Sequence, residues 1–189
     1  RFAKTTWVMI GSGYEHDPAR RTRSVLEKMD WAAYDQQSQR DLQEATAAYR
    51  MGDRGMPARE FFDSLYREDE LTTGNAGYEL FLSATAKQHI REQRLWYHDN
   101  LEDGLALANR WTRELEAALH GLCRNPERHG LAAAGDQIEP GLPLRRMLFR
   151  PWTNGRGWKV IFCIDEEAQI VTVLHIRHES RPPLADDKA

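Results

Sequence analysis

The chain has 189 residues, enough for one ordinary domain with an appendage or for two small units. Its 26 Lys and Arg against 29 Asp and Glu give a net charge of -3, which excludes a surface built throughout to neutralise phosphates and confines any basic site to one patch. With a mean hydropathy of -0.70 and no uncharged apolar run near the roughly eighteen residues a span needs, the chain reads as soluble, with no membrane partner.

Residues 1–30 mix glycines with a charged patch at Arg20, Arg21 and Arg23, and are poorly specified. The run Trp7-Val8-Met9-Ile10 fits a short strand ended by Gly11 and Gly13. The opening lacks the apolar core of a signal peptide and does not begin with methionine, so it reads as a processed or truncated start, with the cytoplasm as the expected compartment. Cys123 and Cys163 have neither CxxC nor paired-histidine spacing, which suggests no disulfide framework, no metal site and no cofactor.

Residues 31–69 form a helical segment. Trp31, Tyr34, Leu42, Ala45 and Tyr49 recur at helical spacing, Gly52 and Gly55 stop that helix, and Pro57 begins another with Phe61, Phe62 and Leu65 on one face. Residues 70–76 are small and polar, a linker. The unit 77–189 then opens with a strand over Tyr78–Leu82, and Ser83 caps a helix running to about Tyr97. After a polar break at His98-Asp99-Asn100, an apolar stripe from Leu101 to Leu122 predicts a second helix, ended by Asn125-Pro126. A Gly-, Ala- and Pro-rich loop leads to three strands, Leu144–Phe149, Trp158–Ile164 and Ile170–Ile176. Their short polar connections, Asn154-Gly155 and Asp165-Glu166-Glu167, predict an antiparallel meander. The order is β-α-α-β-β-β, an α+β fold of two layers with an antiparallel sheet, preceded by an N-terminal helical extension.

Order alone specifies no function. The residues narrow it: Tyr78-Glu-Leu-Phe-Leu-Ser-Ala84, Trp111 and Leu115 in a helix ending Leu122-x-x-Asn125-Pro126, then Leu144-Arg145-Arg146-Met147-Leu148-Phe149, Gly157-Trp158-Lys159-Val160-Ile161-Phe162, and Val171 through Arg177-His178-x-x-Arg181. This succession resembles the RelE/ParE toxins of type II toxin-antitoxin systems over residues 77–184. The stretch Asp41 to Glu68 resembles the tail of the antitoxins of such systems, which drapes over the toxin and blocks it. On that resemblance Phe61, Phe62 and Leu65 are the antitoxin-like contact, and the partner is an antitoxin, either a separate cognate one or the N-terminal segment in cis. A short linker makes docking in cis favourable, because it raises the effective concentration of the segment. The alternative is a helical extension that packs on the sheet or mediates dimerisation.

Two modes of action follow from the resemblance. The RNA-cleaving branch acts without metal on ribosome-bound mRNA, which requires cations near the developing charge and groups that move protons. By position Arg150, Lys159, His178 and Arg181 are the candidate catalytic residues, with Arg145, Arg146 and Arg177 as substrate-binding cations. His175, inside an apolar strand, reads as structural. Strand alternation sends Arg146 and Arg150 one way and Arg145 the other unless a bulge intervenes. Solvated strand edges are the alternative role for Arg145 and Arg150. The tail after Arg181 has neither the tyrosine nor the histidine usual in that branch. Growth inhibition through ribosome-associated mRNA cleavage is the expected mode; the runner-up is non-enzymatic, in which ParE-type members seize DNA gyrase through helices and the C-terminal region. A third possibility is an inactive toxin remnant. Trp96 and Trp111 read as core under either mode.

Overall fold

The computed structural model describes residues 31–65, 77–137, 141–152 and 157–179. The expected features at residues 1–30, in the linker 70–76, at the Asn154-Gly155 turn and at Arg181 lie outside these residues. In chain order the elements are α1 (Trp31–Arg50), β1 (Met56–Pro57), α2 (Ala58–Leu65), β2 (Glu79–Leu82), α3 (Ala84–Asn100), α4 (Gly104–Leu122), β3 (Arg145–Phe149), β4 (Trp158–Asp165) and β5 (Ile170–His178). Short 3-10 turns lie at Pro126–Arg128 and Ala134–Asp136.

Ser83 caps α3 as its type predicts: its Oγ accepts from the Ala86 N–H at 3.0 Å and donates to the Leu174 carbonyl of β5 at 2.9 Å. The helix passes through the polar His98–Asn100 stretch and breaks at Leu101, later than that stretch implied. The apolar stripe of α4 buries Trp111, Leu115, Leu119 and Leu122.

The sheet has the order β1-β2-β5-β4-β3. The meander β3-β4-β5 is antiparallel as expected. The opening strand β2 joins it in parallel at β5, so the whole sheet is mixed. The chain can return to that orientation because the α3–α4 hairpin carries it across one face before the meander begins. On this face α3 and α4 enclose the main core with Met147, Phe149, Trp158, Val160, Phe162, Val171, Val173 and Ile176.

The alternate residues Ile161, Cys163 and Leu174 face the other way and pack with Leu42, Ala45 and Tyr49 of α1. The extension therefore adds a third layer to the two expected. A register shift between Ile161 and Phe162 places His175 opposite Ile161 and Val173 opposite Phe162, leaving one extra residue on β5. The bulge allows both Val173 and Ile176 to enter the helix-side core, which strict alternation would forbid.

Between the layers, the chain turns at Gly52, whose φ of 92° closes α1, and Gly55 brings β1 onto the free edge of β2. Gly55 has φ 85°, and a Cβ there would stand 2.2 Å from the Leu82 carbonyl oxygen, so only glycine permits this approach. Helix α2 then places Phe61 and Phe62, both fully buried, in the main core, with Leu65 packed at its margin. Arg54 fastens the turn by donating to the Tyr49 carbonyl and pairing with Asp165 at the end of β4 at 2.6 Å.

Candidate functional site

Pairing in the meander decides which basic residues meet. Leu148 lies opposite Lys159, and Lys159 opposite Arg177, so Arg146, Lys159 and Arg177 share the face that α1 covers in part. Trp158 lies opposite His178, one residue along, and their rings meet edge to face at 5.0 Å. His178 therefore belongs to the helix-side face. Lys159 and His178 are diagonal neighbours in sequence register yet point to opposite sides of the sheet.

Each cation then has its own surroundings. Arg146 is exposed and Lys159 half-buried. Burial, and then the like charge of Arg177, hold the Lys159 ammonium below its usual range. Arg177 is 0% exposed and forms an ion pair with Asp136, which is also buried. Arg177, expected as a substrate-binding cation, thus ties the 134–136 turn beneath the sheet, with its side chain away from the surface. Breaking such a pair leaves a buried charge uncompensated.

Arg145 points to the helix side at the sheet edge and donates through Nη1 to the carbonyls of His129, at 2.7 Å, and Glu127, at 3.1 Å. Its position is that of a loop anchor. Arg150 is exposed and pairs with Glu179 at 3.5 Å. Glu179 also accepts from the Gly157 N–H at 2.8 Å, the main cause of its lowered carboxyl pKa, while its own N–H returns to the Gly157 carbonyl at 2.7 Å. Gly157 is required here, since a Cβ would stand 2.7 Å from the Phe149 carbonyl oxygen.

The expected set is thus only partly assembled. Arg146 and Lys159 form a cationic strip backed by the buried Arg177–Asp136 pair, and Arg150 lies beside Glu179. His178 is apart from Lys159, and Arg181 lies outside the described residues. Asp136 and Glu179 carried no signal in the sequence, because an acidic residue in a loop or at a strand end is ordinarily solvated.

A second polar group joins the N-terminal segment to the rest. Asp41 of α1, His89 of α3 and His175 of β5 come together, with His89 Nε2 3.3 Å from Asp41 Oδ2. The spacing of His and Cys had suggested no such cluster. Three single residues from three distant elements leave no motif to read. Among the described residues no helix is long and apolar enough to cross a membrane.

Comparison with curated proteins and with solved structures found no match. A family model described as ParE toxin of type II toxin-antitoxin system matches residues 80–183, from β2 through the whole helix hairpin and meander. That span exceeds half of the 189 residues, and it begins beyond the segment that supplies α1, β1 and α2. The chain belongs to the ParE toxin family of type II toxin-antitoxin systems, whose members have an antitoxin as partner.

Proposed function

We propose that residues 77–189 act as a growth-inhibiting toxin that captures its target without cleaving it, DNA gyrase being the target class, and that residues 31–65 restrain it in cis as an antitoxin-like element. The observation that carries the non-catalytic reading is the register of β4 and β5. With Lys159 and His178 on opposite faces, these two side chains do not form an acid–base pair at one scissile phosphate.

The restraint in cis is supported by how the segment docks. Strand β1 extends the sheet at its open edge, α2 fills the main core with Phe61 and Phe62, and α1 covers the second sheet face. Strand addition together with helix docking is a usual way for a peptide to occupy a partner. A ribosome-associated ribonuclease remains the second reading, favoured by one observation, the depressed Lys159 amine that suits proton transfer.

The test is induction in growing cells of the full chain, of its Gly55→Val variant, and of residues 77–189 alone. Arrest by the last two but not by the parent, with intact transcripts and a DNA-damage response, is the expected result. Transcripts cut at ribosome-bound codons would replace gyrase by the ribosome. Equal arrest by all three forms would remove the restraint in cis.

A further inference from the structure

The Asp41, His89 and His175 group offers a carboxylate and two imidazoles, and one ligand-type atom from each lies within 4.8 Å of the other two. His175 is 0% exposed, and neither of its ring nitrogens has a hydrogen-bond partner among the described residues. A buried polar atom left unsatisfied is destabilising, so an orphaned imidazole at this depth calls for a ligand. The His89 ring stands against it edge to face at 4.4 Å, which holds both imidazoles over the same space.

The His89–Asp41 separation also fits two ligands of one cation. A charge-assisted N–H···O contact is usually about 2.7–2.9 Å. Two ligands on a tetrahedral zinc ion, each bonded at about 2.0–2.1 Å, stand roughly 3.3 Å apart. The His89 to Asp41 separation is 3.3 Å. We propose that Asp41, His89 and His175 form a binding site for one zinc-type divalent ion, which fixes α1 to the body of the toxin.

Two imidazoles and one carboxylate are a donor set that zinc takes readily, with a fourth position for solvent. Asp41, 21% exposed at its side chain, marks the side on which solvent enters. Ligation through Nε2 puts the His89 proton on Nδ1, so the contact of that atom with the Ile176 N–H has to open. That contact is long, 3.5 Å, and the ion's bonds to three ligands offset its loss. Because one ligand comes from α1 and two from the family-matched region, the ion would join the restraining segment to the part it covers. The site itself stands on its geometry and does not depend on the toxin's target.

The experiment uses the full chain stripped of metal by a chelator and titrated with Zn2+ alone by calorimetry near neutral pH. Hydrogen exchange of α1 is followed with and without the ion. Saturation at one ion per chain, slower exchange in α1, and affinity lowered at least about tenfold in both Asp41→Asn and His89→Gln are the expected results. Substituting Co2+ should give the visible bands of a low-coordinate ion in the parent and lose them in the variants. Asp41→Asn keeps shape and hydrogen bonding at a partly exposed helix position, so it separates loss of the ligand from loss of the fold. No saturable binding by the parent, or equal affinity in the variants, would overturn the site and leave the trio as a hydrogen-bonded contact between α1 and the sheet.

Discussion

Glu179 shows how one carboxylate at the end of β5 holds the strand connection together. Its oxygens accept from Gly157 and pair with Arg150, and its folded pKa is lowered mainly by the Gly157 N–H. A depressed carboxylate contributes stability that is present above its unfolded pKa and is lost as pH falls through the folded value. Stability should therefore fall as the pH drops below about 4.5, and Glu179→Gln should flatten that limb of an acid-titrated urea midpoint. Because the side chain is 30% exposed, the effect should stay below about 1 kcal/mol. The fully buried Arg177 behaves differently. Arg177→Met removes the ion-pair partner of the buried Asp136, and chemical denaturation should register a loss of about 3–5 kcal/mol. The double variant Arg177→Met with Asp136→Leu should recover much of it, whereas a surface substrate contact would give a negligible change in stability.

At the scale of elements, the N-terminal strand and helices depend on close approach and apolar faces. Gly55→Ala forces a left-handed backbone onto alanine and drives its Cβ into the Leu82 carbonyl, so β1 should leave the sheet edge. Hydrogen exchange should then become faster at the β1–β2 pairing, with a stability loss above about 1 kcal/mol. Phe62→Ala should cost about 3–5 kcal/mol by leaving a cavity under β2, measurable as a lower urea midpoint.

Most of this architecture was legible in the residues. Ser83 marked a cap, the Leu42–Ala45–Tyr49 and Trp111–Leu115–Leu119 spacings marked buried helix faces, and the apolar runs marked the meander. What was not legible depends on pairing. The bulge after Ile161 resets the phase of β5, so the depth of Arg177 and the company of His175 cannot be read from alternation. The candidate site was legible as a local excess of cations, but its division between two faces requires the register. Asp136 and Asp41 gain meaning only through partners 41 and 48 residues away.

For the whole molecule, the family-matched region and the preceding segment share one structure: a sheet with its helix hairpin on one face and α1 on the other. The family is that of type II toxins, and on the function proposed above the docked segment restrains it. Inhibition should then rise when the segment is loosened, without any gain in RNA cleavage. The most direct test is the supercoiling activity of purified DNA gyrase in the presence of the full chain and of its Gly55→Val variant. The account predicts inhibition by the variant at concentrations at least about tenfold below any effect of the parent, corresponding to about 1.4 kcal/mol of released restraint. Uninhibited gyrase with both proteins, alongside cleavage of ribosome-bound mRNA by the variant, would contradict it.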